Sequence, residues 1–103
     1  MDDMAKRFSE QVVWITGGGS GIGRALAEEM ASQGAHVVVS GRRLERLDVV
    51  VQAIEAAGGR ASAVSCDVTD EGSIAEAVTA IVSAQGKLDV AVANAGFAVS
   101  GRV

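Results

Sequence analysis

The chain of 103 residues has one cysteine, no tyrosine and only 3% aromatic residues. A single thiol, Cys66, excludes an intrachain disulfide and a cysteine-rich metal site. It is expected to be a small packed residue rather than a reactive one. With so few rings, the core must be built from Val, Ile, Leu and Ala. No apolar run approaches the roughly 18 residues that a membrane span needs. The start, Met1-Asp2-Asp3-Met4, is acidic where a secretory signal needs a basic segment followed by an apolar one. A cytoplasmic protein is the expectation. A net charge of −4 and an isoelectric point near 4.8 argue against nucleic acid as a partner, since such surfaces are basic. Arg42-Arg43 is a local exception.

What is present is patterned. With 49% hydrophobic and 21% charged residues the chain reads as one ordinary globular domain, without linker, repeat or low-complexity tract. Short β-branched runs alternate with helical periodicity. Val12–Thr16 is continuously apolar, as in a strand buried on both faces. A helix follows in which Ile22, Leu26 and Met30 recur every four residues, and Gly34 is its stop. His36–Ser40 forms a second strand, with His36 expected at the solvated surface. The next helix carries Leu44, Leu47, Val50, Val51 and Ile54 on one stripe and ends at Gly58-Gly59. Ala61–Cys66 is the third strand. Thr69 or Asp70 caps a helix whose inner face is Ile74, Val78, Ile81 and Val82, ending near Gly86. Leu88–Ala93 is the fourth strand.

This βαβαβαβ order implies an α/β fold, a doubly wound parallel sheet of strand order 3-2-1-4 with helices on both faces. In that order the fourth strand lies at an edge. Its residues Val90-Ala91-Val92-Ala93 carry neither charge nor proline to protect an edge, which suggests that more chain follows.

The informative segment is Thr16-Gly17-Gly18-Gly19-Ser20-Gly21-Ile22-Gly23, between the first strand and the first helix. Glycines let the backbone turn sharply and approach a ligand closely. The helix start behind them offers free N–H groups and the positive end of its dipole, which suits a pyrophosphate. The segment reads T-G-x(3)-G-x-G, in the place where a G-x-G-x-x-G dinucleotide fingerprint would stand. An NAD site usually has Asp or Glu about 20 residues beyond the glycines to bind the ribose 2′-hydroxyl. Here that place is Gly41-Arg42-Arg43, with no carboxylate and two guanidinium groups that pair well with phosphate. NADP(H) is therefore the expected preference, NAD(H) being the alternative, with Arg42 the main 2′-phosphate ligand and Arg43 assisting.

From about Val12 to Gly96 the chain resembles the short-chain dehydrogenase/reductase family. The resemblance rests on the T-G-x(3)-G-x-G segment, on Cys66-Asp67-Val68 after the third strand and on Asn94-Ala95-Gly96 after the fourth. It implies a Rossmann-type nicotinamide-dinucleotide-binding domain over residues 1–103, incomplete at its C-terminus. In that family Gly17, Gly21 and Gly23 would shape the turn, Gly19 would belong to the same cofactor-binding segment, and Ser20 and Ile22 would contact the cofactor. Asp67 would bind the adenine amino group and the Val68 backbone a neighbouring ring nitrogen. Asn94, Ala95 and Gly96 would brace the fourth strand and line the ribose. Members often have Asn-Asn-Ala-Gly where this chain has Ala93-Asn94-Ala95-Gly96. The resemblance also implies hydride exchange with a carbonyl or secondary alcohol, a homo-oligomer, and a catalytic Tyr and Lys spaced Y-x-x-x-K with a Ser. The chain has no tyrosine, and Lys6 and Lys87 lie outside any such motif, so no catalytic residue and no metal ligand is assigned. The expectation is the cofactor-binding half of an oxidoreductase, inactive alone. The competing readings are a non-catalytic dinucleotide-binding module and a structural fragment that pairs through its open edge.

Overall fold

A computed structural model describes residues 10–17 and 21–93. The elements run β1 (Val12–Thr16), α1 (Gly21–Ser32), β2 (His36–Gly41), α2 (Leu44–Ala56), β3 (Arg60–Ser65), α3 (Glu71–Gln85) and β4 (Val90–Ala93). The four strands form one parallel sheet of order β3-β2-β1-β4. This is the doubly wound arrangement expected from the alternation of strands and helices.

Each helix covers the sheet face that its apolar stripe matches. Val13 and Ile15 of β1, Val37 and Val39 of β2 and Ala61 of β3 pack against Ala27, Met30 and Ala31 of α1 and Leu47, Val50 and Ile54 of α2. The opposite face carries Val12, Trp14 and Val38, which with Cys66 pack against Ala77 and Ile81 of α3. All five β1 residues are buried, because a strand flanked by two others and covered on both faces has no solvent side. Burying each Val or Ile side chain contributes about 1.5–3 kcal/mol, and Val12, Val13, Trp14 and Ile15 of β1 with Val37, Val38 and Val39 of β2 are the strand residues that contribute most to the core.

The structure differs from the sequence expectation in several details. β3 begins at Arg60, one residue early, and β4 begins at Val90, two residues late. Val82 is 42% exposed, because α3 meets the sheet along a narrower stripe in which the small Ala77 takes the buried place. Leu44, at the mouth of α2, is likewise exposed. His36 is half-buried rather than solvated. Its Nε2 lies 2.9 Å from Ser62 Oγ across the β2–β3 pair, and burial, with the Arg60 charge beside it, lowers its pKa from the usual 6.5. At the same end of the sheet, Asp89 Oδ2 accepts the Val12 N–H at 2.7 Å and pairs with Lys87 Nζ at 3.3 Å.

Candidate cofactor site at the carboxyl edge of the sheet

The chain runs outward from β1 through β2 to β3, then returns by α3 to place β4 on the other side of β1. The direction of winding reverses between β1 and β4, and ligands of such sheets bind outside the strand carboxyl ends at this switch. The residues singled out in the sequence sit on that edge wherever they are described. Gly17 follows β1, Gly21 opens α1, Arg42 and Arg43 follow β2, and Asp67 and Val68 follow β3. Gly19, Ser20, Asn94, Ala95 and Gly96 lie outside the described residues.

Gly17 and Gly21 are held at φ 69° and φ 49°, the left-handed region where a side chain costs roughly 1–2 kcal/mol. Gly17 also donates its N–H to the Ser40 carbonyl at 2.8 Å, tying the segment to the end of β2. A Cβ added to Gly21 would meet no other described residue within 4 Å. That turn has no acidic residue to offset its N–H groups and dipole. Gly23 is buried against the sheet, whereas Ile22 is 79% exposed. An aliphatic side chain left in water beside an open helix start is a ready contact for a ligand.

The entrance to α2 is basic. Arg42 and Arg43 are both exposed, and Arg43 occupies the N-cap with φ −114° and ψ 98° but makes no side-chain cap bond. Two cations and the positive end of a helix thus share one corner, an arrangement that repels itself and attracts an anion.

Beside it, the Asp67 carboxylate is held in a local turn. Its Oδ1 accepts the Thr69 N–H at 3.0 Å and the Thr69 hydroxyl at 2.7 Å, and its own N–H donates to Ser73 Oγ at 2.9 Å. The two Thr69 bonds, and more weakly the Arg42 charge, hold this carboxyl below the usual carboxylate range. Oδ2 takes no hydrogen-bond partner among the described residues, so one oxygen of a carboxylate fixed by Thr69 keeps its acceptor capacity. Val68 next to it is 36% exposed. Gly17 and Gly21, the basic corner at Arg42 and Arg43 and the Asp67 carboxylate thus lie along one edge of the sheet.

Three cross-strand ties at this edge were not evident in the sequence. Trp14 Nε1 donates to Ser40 Oγ at 2.9 Å in the core. Thr16 Oγ1 donates to the Val92 carbonyl at 3.3 Å. The Cys66 N–H donates to the Gly41 carbonyl at 3.1 Å, and Cys66 itself is a buried free thiol. A Ser closing an apolar strand and a Trp inside the neighbouring one were the available signals for the first. Among the described residues no group of His, Cys, Asp and Glu could hold a metal ion, and no helix is long and apolar enough to cross a membrane.

A family model described as short chain dehydrogenase matches residues 11–103. A 3beta-hydroxysteroid dehydrogenase of Mediterraneibacter gnavus is 47% identical over 91 residues, which are 88% of this chain and 33% of that protein. Among solved structures, a metagenomic short-chain oxidoreductase in complex with NADP superposes with a TM-score of 0.84 at 42% identity, over 87% of this chain and 41% of that one. A hydroxysteroid dehydrogenase from Escherichia coli gives 0.87 at 36% identity, over 94% and 41%. The chain spans about a third of the length of the curated relatives it matches. Its parallel sheet, the glycine segment after β1 and these matches make it a member of the short-chain dehydrogenase/reductase family.

Proposed function

We propose that this chain, residues 1–103, is the cofactor-binding portion of a cytoplasmic, NADP(H)-preferring oxidoreductase that acts on a carbonyl or a secondary alcohol and assembles as a homo-oligomer. The observation that carries the cofactor preference is the basic mouth of α2, where Arg42 and Arg43 stand exposed and the N-cap side-chain bond is absent. An NAD-type site needs a carboxylate near this place; here a 2′-phosphate would meet two guanidinium groups and a helix start. A nearby NADP-complexed relative supports the same choice.

The bound nicotinamide supplies or accepts the hydride. This chain's residues bind and orient it. Gly17, Gly19, Gly21 and Gly23 admit the pyrophosphate to the start of α1, and Ser20 and Ile22 contact it. Asp67 accepts from the adenine amino group through Oδ2, while the Val68 backbone contacts the adenine ring. Asn94, Ala95 and Gly96 complete the ribose side. With no tyrosine in the chain, the proton-transfer residues of the family have no counterpart in it. These residues alone are expected to bind dinucleotide without turning over substrate, which is also the behaviour of a non-catalytic dinucleotide-binding module.

Isothermal titration with NADPH and NADH tests the assignment. Charge-assisted hydrogen bonds to phosphate give about a ten- to hundredfold tighter Kd for NADPH, and Arg42→Ala should remove most of that difference. Equal affinities unaffected by the substitution would sink it.

A further inference from the structure

β1 and β2, which lead to Gly17 and to Arg42, carry apolar residues on both faces, and this leaves their mutual alignment weakly specified. Val12-Val13 of β1 lies beside His36-Val37, and Trp14-Ile15 beside Val38-Val39. A two-residue slip of one strand keeps every side chain on its own face and still sets Val against Val. Hydrophobic burial therefore discriminates poorly between registers, as it does for any strand without a polar side. Yet register decides the site. It fixes how far Gly41 and Arg42 stand beyond Gly17, where the glycine segment begins.

Trp14 and Ser40 break this degeneracy. Trp14 is paired in register with Val38, and its indole reaches two residues further along β2 to donate to Ser40 Oγ at 2.9 Å. Both residues are buried, Ser40 completely. The bond is polar within an otherwise apolar patch of Val12, Val38 and Cys66. A slip in either direction would separate the buried indole N–H from its Ser40 acceptor, and an unsatisfied donor in the core is destabilising. Ser40 also accepts the Gly17 N–H through its carbonyl, and the next residue, Gly41, accepts from Cys66. One short stretch thus ties the ends of β1, β2 and β3 together immediately before Arg42.

We propose that Trp14 and Ser40 are positioning residues for cofactor selection: their buried hydrogen bond sets the register that fixes where Arg42 stands relative to Gly17. The inference rests on the NADP(H) assignment above. Its test is the ratio of NADH to NADPH Kd, measured beside thermal stability, in Ser40→Ala, Ser40→Thr and the double variant Trp14→Phe/Ser40→Ala. Ser40→Ala strands the indole N–H, so both stability and the Kd ratio fall, the ratio by about three- to tenfold. Ser40→Thr keeps the hydroxyl and the ratio. The double variant has no stranded group, so it regains stability but keeps the reduced ratio. The Trp14 indole N–H resonance, assigned by its loss in Trp14→Phe, should move in Ser40→Ala and stay in place in Ser40→Thr. A double variant that regains the wild-type ratio, or a ratio unchanged in Ser40→Ala, overturns this inference and leaves the cofactor assignment standing. A wild-type protein that binds both dinucleotides equally overturns both.

Discussion

α2 and α3 leave the same edge of the same sheet, yet their first turns are built on opposite principles. At α3 the Asp70 side chain caps the helix, accepting the Gly72 and Ser73 N–H groups at 2.9 and 3.4 Å, and Glu71 follows. Carboxylates thus face the positive end of the helix, as local stability favours. At α2 the N-cap is Arg43, with no side-chain bond, and Arg42 precedes it. Nothing in the packing of α2 requires this, since its buried residues begin only at Leu47. A helix entrance that forgoes its own cap and gathers cations breaks a local rule of stability, and departures of this kind collect at functional sites, in keeping with the proposed role in cofactor binding.

Making the α2 entrance resemble that of α3 should have the largest effect. Arg43→Asp supplies a cap and reverses a charge. It is expected to weaken NADPH at least about tenfold by titration while leaving NADH within about threefold, and to raise the melting temperature. An unchanged NADPH affinity would show that Arg43 is only a solvated helix residue. Undoing the α3 entrance comes next. Asp70→Ala should cost about 1 kcal/mol in denaturant unfolding without altering the NADPH/NADH ratio. A shift in that ratio would mean that α3 also orders the cofactor side through Ser73 and Asp67.

The smallest expected effect lies at the far edge of the sheet. The pKa of His36 is lowered in the folded state, so on acidification the unfolded chain takes up this proton first. Stability should decline as the pH falls below about 6.5, the ordinary histidine value that the unfolded chain keeps. His36→Asn should flatten unfolding free energies over that window. An equally steep profile in the variant would place the proton uptake elsewhere.

The sequence disclosed the strand–helix order, the strand neighbours and the placement of the glycine segment, because each leaves a local pattern. Val12–Thr16 could be recognised as a central strand from five residues alone. What it did not disclose depends on partners distant in the chain. His36 looked like a surface residue until the register put Ser62 beside it. Val82 looked like core because periodicity reports that a residue is apolar, not how wide a stripe the sheet meets. Asp67 was legible by its place after β3, but its lock on Thr69 belongs to turn geometry that no spacing rule announces. Trp14 and Ser40 were both visible, separated by 26 positions, with nothing in either to indicate the other.

The bond from Thr16 to the Val92 carbonyl joins residues 76 apart, and it bears on the order in which the chain folds. During synthesis the N-terminal elements emerge first, so β1, β2 and β3 can pair while one side of β1 still lacks a neighbour. That side receives β4 only after α3 has formed and crossed back. The switch between β1 and β4, where the cofactor is expected, therefore forms after β1, β2 and β3 can have paired, through the pairing of Val13 with Val90 and of Thr16 with Ala93.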